Sequence, residues 1–141
     1  MLSTPQVELI QSSFSAAVSA QSDLVSEFYR TLFLKAPSVR GMFKEDISDQ
    51  SEKLAAILQL AVEKLGNLET LVGPLHALGA QHAQYGAEAA HYTAVAETLV
   101  ECLAKAVGPN WTSEHDKAWN DALTFIAQTM LDGAEKAATR Q

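Results

Sequence analysis

Apolar side chains recur along the chain at intervals of three and four residues, the spacing that brings successive positions onto one helix face. Val7, Ile10, Phe14 and Val18 mark a first helix, and Leu24, Phe28 and Leu32 a second. Pro37 opens a short third segment that ends near Phe43. Further stripes are Leu54, Ile57, Leu58, Ala61 and Leu65; then Leu71, Leu75 and Leu78; then Tyr92, Val95, Leu99, Leu103 and Ala106; and last Trp119, Leu123, Ile126 and Met130. Strand-like alternation flanked by turn dipeptides is absent. Boundary signals agree with the stripes. Thr4 before Pro5 reads as a helix cap, Ser22 or Asp23 caps the second helix, Asp49 with Glu52 the fourth segment, and Ser113 with Asp116 the last. Gly66-Asn67, Gly86 and Gly108-Pro109 read as stops, Pro74 as a start, and the apolar-poor tail after Gly133 is expected to fray. The pattern predicts an all-α protein, one domain spanning residues 1–141, without repeats or long linkers.

Composition narrows the setting. A chain of 141 residues buries roughly two-thirds of its unfolded surface, and 48% hydrophobic content supplies a core without metal or disulfide support. The net charge of −7 excludes nucleic acid and anionic membrane as partners, because both require a basic footprint. Cys102 is the single cysteine, so no internal disulfide forms; among apolar neighbours it reads as a small buried hydrophobe rather than a nucleophile. Met1 to Gln11 lacks a secretory pattern, and the longest mostly apolar run, Leu54 to Val62, is broken by Gln59 and too short to span a bilayer. The expected location is cytoplasmic.

Candidate chemistry begins at His82. It extends the stripe of Leu71, Leu75 and Leu78, which aims an imidazole toward an apolar interior. A buried ring nitrogen needs a partner, either a backbone carbonyl or a metal. No HExxH, CxxC, phosphate-binding glycine loop or GxSxG turn is present. His76 and His82 are six apart and do not share a face, and His76 and His115 read as surface residues.

Phe28-Tyr29-Arg30-Thr31-Leu32-Phe33, followed by Ala36-Pro37-Ser38-Val39-Arg40-Gly41-Met42-Phe43, resembles the B and C helices of single-domain bacterial haemoglobins, kin to the globin domain of flavohaemoglobins. Gly79-Ala80-Gln81-His82 and Ala90-His91-Tyr92 resemble that family's F helix and the start of its G helix, and Ala118-Trp119 its H helix. The resemblance runs from about Thr4 to Met130. It implies a globin fold, helices A–H in a three-on-three sandwich around haem b (iron protoporphyrin IX).

Residue by residue, the resemblance implies His82 as the proximal ligand of the haem iron and Phe43 as the aromatic wedged against the porphyrin. Tyr29 matches the distal tyrosine, Gln50 the distal position on the E helix, and Leu54 the apolar residue over the iron. Lys53 is the rival to Gln50 if the register slips by three; otherwise it is free to reach a haem propionate or solvent. Leu58, Leu78 and Val95 would line the slot. Tyr92 matches a tyrosine that joins the proximal histidine and a glutamate in a hydrogen-bonded network, but here Lys136 falls near the glutamate position, with Glu135 beside it. His91 is expected at the haem edge or in solvent, not as a ligand.

The function so implied is reversible, high-affinity dioxygen binding at five-coordinate iron, with Tyr29 and Gln50 as hydrogen-bond donors. Nitric oxide dioxygenation with a separate reductase and haem-based gas sensing are the alternatives. The expected partners are dioxygen and other diatomic gases, in a monomer or homodimer.

Overall fold

The computed structural model describes residues 2–20, 23–43, 46–84 and 86–139. Among the described residues there are six α-helices and no strand. They are α1 (Thr4–Ala20), α2 (Leu24–Lys35), α3 (Ser48–Glu63), α4 (Glu69–Gln84), α5 (Ala89–Val107) and α6 (Ser113–Thr139). Short 3-10 turns at Pro37–Met42, Leu65–Asn67 and Gly108–Asn110 join them; the first is the short segment expected after Pro37. α4 packs chiefly on α6, α5 meets α1, α2 and α6, and α3 touches α1 and α2. No helix of the described residues is long and apolar enough to cross a membrane.

Several boundaries differ from the sequence reading by a few residues, because hydrogen-bond geometry and not residue type alone selects a cap. Ser3, not Thr4, caps α1: its Oγ accepts from Gln6 N at 3.2 Å while Gln6 Oε1 accepts from Ser3 N at 3.0 Å. Asp23 precedes α2 without a capping side-chain bond, and Ser22 lies outside the described residues. α3 begins at Ser48, and Asp46 rather than Asp49 accepts from its first amide at 3.0 Å. Thr112, not Ser113, precedes α6, and its amide donates to His115 Nδ1 at 3.0 Å. Pro74 sits inside α4 rather than at its start, since the helix already begins at Glu69. The tail past Gly133 continues as helix through Thr139. The stop at Gly86 stands, with φ of 87° in the left-handed region that glycine adopts without strain.

The core is divided. The larger cluster joins α1, α2, α3, α5 and α6 around Ile10, Phe28, Leu32, Leu58, Leu103 and Trp119. A smaller one, Ala61, Leu71, Leu75 and Met130, fastens α4 to α6. On α1 the buried face is Ile10, Ser13 and Ala17; the expected stripe residue Val18 is 45% exposed. The face is turned because Ser13 is needed inside, where its Oγ accepts from the buried Trp119 Nε1 at 3.0 Å. Cys102 is buried, as expected, and burial pushes its thiol pKa up, which leaves it a poor nucleophile.

Candidate functional site

The site residues gather in two groups, one at the margin of each core cluster. In the first, α2 and the 3-10 turn bring Tyr29, Phe33 and Phe43 together. Tyr29 and Phe33 are one helical turn apart, so their rings share a face, and the turn after Pro37 folds Phe43 back onto them. The ring centroids lie 5.8 Å (Tyr29–Phe33), 5.6 Å (Tyr29–Phe43) and 5.4 Å (Phe33–Phe43) apart, a nearly equilateral triangle with edge-on contacts at Phe43. The Arg40 guanidinium lies 5.0 Å from the Phe33 ring centroid and donates to the Phe43 carbonyl at 3.4 Å, tying the turn to the cluster. Sequence reasoning gave Phe33 and Arg40 no role; the four-residue spacing of Tyr29 and Phe33 was the available signal.

Tyr29 is only 5% exposed, yet its hydroxyl has no protein hydrogen bond. Every described side-chain oxygen or nitrogen that is fully removed from solvent does have a partner, so the hydroxyl must reach open space at the edge of the cluster. Burial of the ring pushes its pKa up to about 12, which keeps the O–H protonated and able to donate. Gln50, in the first turn of α3, is half-buried without a protein hydrogen bond, and Leu54 follows one turn later, half-buried against the larger cluster. Lys53 is exposed. Leu58 is buried in the core, and Val95 of α5 lies half-buried at its margin.

The second group sits on α4 and α5. His82 is half-buried, and its Nδ1 lies 2.8 Å from the Leu78 carbonyl, one turn earlier. A carbonyl only accepts, so this bond places a proton on Nδ1, and in the neutral imidazole Nε2 is then the nitrogen that carries the lone pair. Nε2 has no protein partner. Of the two partners open to His82 in the sequence, the carbonyl is thus taken by one nitrogen while the other remains available for a metal. Two capping bonds pin this end of the helix, from Ala87 N to the His82 carbonyl and from Gly86 N to the Ala83 carbonyl, both 3.1 Å. Tyr92 lies beside His82 with ring centroids 6.3 Å apart, and burial pushes its pKa up. Leu78 and Tyr92 are half-buried against the smaller cluster. Glu135 is exposed and bonds neither Tyr92 nor His82, so the three-residue proximal network is not formed here. His91 is half-buried and serves as a cap, its Nδ1 accepting from Glu88 N at 2.8 Å. His76 and His115, expected at the surface, are half-buried.

These features fit a flat apolar group with its own metal. Apolar side chains that close packing would bury stay half-exposed on both margins: Phe43, Leu54 and Val95 on one, Leu78 and Tyr92 on the other. The described residues hold no cluster of three His, Cys, Asp or Glu that could bind a bare ion. A single imidazole retains iron only when a macrocycle supplies the remaining ligands.

The globin family model matches residues 26–130, and the chain belongs to that family. Membership supports haem binding and, with it, the binding of diatomic gases. Among similar proteins, one named anaerobic nitrite reductase NSHB5, from Oryza sativa subsp. indica, is 26% identical over 96% of this chain and 98% of its own length. A flavohemoprotein of Vibrio cholerae is 24% identical over 94% of this chain, which spans only 34% of that longer protein. The solved structure of an engineered carbene transferase, derived from a putative nitric oxide dioxygenase of Rhodothermus marinus, superposes with a TM-score of 0.85 at 26% identity, covering 99% of this chain and 97% of that one.

Proposed function

We propose that residues 1–141 form one haem b domain that binds dioxygen reversibly, in which His82 Nε2 would hold the haem iron. The observation that carries the reading is the imidazole itself: Nδ1 is held by the Leu78 carbonyl at 2.8 Å, so the ring is fixed in the tautomer whose Nε2 can coordinate. Haem would supply the iron chemistry that takes up a diatomic gas. The protein residues do the rest. Phe43, Leu54, Leu78 and Val95, half-buried at the cluster margins, would cover the macrocycle and exclude water. Leu58, one turn after Leu54, lies buried in the core cluster against which Leu54 packs. The Tyr29 hydroxyl, unpartnered and protonated, donates to a polar ligand, and the Gln50 amide is the second donor. Gln50 rather than Lys53 takes this role because Gln50 is half-buried and lies one turn before Leu54, whereas Lys53 is exposed and free to meet a propionate. Two donors in a dry site favour dioxygen over less polar gases and slow its release. Tyr92 packs against the His82 ring without a carboxylate beyond it, which predicts an ordinary neutral imidazole ligand rather than a strongly basic one.

Nitric oxide dioxygenation is the second reading, favoured by the likeness to the Vibrio cholerae flavohemoprotein and to the putative dioxygenase of Rhodothermus marinus. It consumes one electron per nitrate formed, so a reductase must supply electrons to this domain. Absorption spectra of the purified protein in ferric, dithionite-reduced and carbon monoxide-bound forms test the common core of both readings. The expected result is an intense Soret band that shifts sharply with carbon monoxide. Absence of such a band after haem addition overturns the proposal, and rapid nitrate production with a generic reductase favours the enzyme over the carrier.

A further inference from the structure

Helix α4, which carries His82, is held chiefly by α6. The two helices run antiparallel and touch backbone to backbone at two points. A Cβ placed on Gly79 would lie 1.8 Å from the Met130 carbonyl oxygen and 2.4 Å from its carbon. A Cβ on Gly133 would lie 2.3 Å from the His76 carbonyl oxygen and 2.4 Å from its Cα. The contacts are reciprocal. Each helix offers one glycine to the other's main chain, three residues from the point where it receives the partner's glycine. Every obstructing atom is backbone, so no side chain can swing aside, and an added methyl must push the helices apart by about 1 Å or more to restore van der Waals distance. Glycine inside a helix is otherwise unfavourable relative to alanine. Gly73, on the same helix, shows the contrast, since a Cβ there meets nothing within 4 Å.

His82 follows Gly79 by three residues, a rise of about 4.5 Å along the helix, and the Schellman-type bonds at Ala83 and His82 stiffen the remaining turn. The position of the imidazole is therefore inherited from the Gly79–Met130 and His76–Gly133 contacts. We propose that Gly79 and Gly133 form a two-point clasp that sets how far His82 Nε2 reaches toward the haem iron, which makes both glycines positioning residues for the proximal ligand. The inference rests on the reading of His82 as that ligand.

The experiment compares haem-loaded wild type, Gly133→Ala and Gly73→Ala by the iron–histidine stretching band of the reduced protein and by the rate of haem transfer to an apo-acceptor. Gly133→Ala is expected to move the band and to raise the transfer rate at least ten-fold, while Gly73→Ala leaves the band in place and the rate within two-fold. An unmoved band in Gly133→Ala overturns the clasp. The same comparison in a His82→Gly background with added imidazole separates positioning from general loosening. There the ligand is no longer tied to α4, so the Gly133→Ala effect on transfer should fall below two-fold, and its full persistence overturns the inference. His82→Gly without imidazole tests the underlying reading independently, because a retained iron–histidine band there removes His82 as ligand whatever the glycines do. Should Gly133→Ala not fold, Leu75→Ala decides. It thins the same α4–α6 interface while both glycine contacts remain, so an unmoved band supports the clasp and a moved band overturns it.

Discussion

Replacing Tyr29 by Phe removes one hydroxyl and little else. The ring packs at 5.1 Å from Phe28, 5.8 Å from Phe33 and 5.6 Å from Phe43, and all of these contacts survive in phenylalanine. The hydroxyl makes no protein hydrogen bond, so the fold loses none, and stability is expected to change by less than about 0.5 kcal/mol. The bound gas loses one donor in a water-poor pocket, about 1–1.5 kcal/mol, which corresponds to roughly five- to ten-fold faster oxygen release. Stopped-flow displacement of oxygen by carbon monoxide reads the rate, and urea unfolding of the same preparation reads the stability. Release within two-fold of wild type would remove Tyr29 from the ligand pocket. A stability loss above about 2 kcal/mol with unchanged release would show the hydroxyl to be a structural donor instead.

The raised Tyr29 pKa gives a second expectation. The folded state holds the phenol neutral up to about 12 while the unfolded chain ionises near 10, so the stabilising contribution is complete below pH 10 and is lost as pH rises toward 12. The full loss is roughly 2–3 kcal/mol, and urea midpoints measured from pH 9 to 12 should fall less steeply in Tyr29→Phe than in wild type; parallel slopes would contradict the burial argument. His82→Ala should abolish stable haem binding, and an unchanged Soret band in that variant would exclude the proximal assignment. Ser13→Ala should cost about 1–3 kcal/mol by leaving Trp119 Nε1 buried without an acceptor, measured by thermal or urea unfolding, and a change below about 0.5 kcal/mol would mean that the indole finds another partner.

Helix content and many of the buried apolar residues, among them Ile10, Phe28, Leu32, Leu99, Leu103 and Trp119, were legible in the sequence because a stripe spaced by three and four records which face meets the core. The chain's resemblance to bacterial haemoglobins, read from Tyr29, Phe43, His82 and their neighbours, named the family to which the chain belongs. Periodicity does not record what a face meets, and there the tertiary structure decided. Ser13 is inside because an indole 106 residues away needs an acceptor, which turns α1 from its apparent stripe. Ser3 and Thr112 precede their helices where residue type points to Thr4 and Ser113, because a cap is fixed by where the first amides point, one residue either way. Pro74 reads as a helix start, yet the turns on either side of it are held by packing against α6. Gly79 and Gly133 carry no local signal separating them from Gly73; only the approach of a second main chain makes a missing methyl matter. The same holds for His82. Its place on an apolar stripe was visible in the sequence, but the proton on Nδ1 follows from a carbonyl 2.8 Å away.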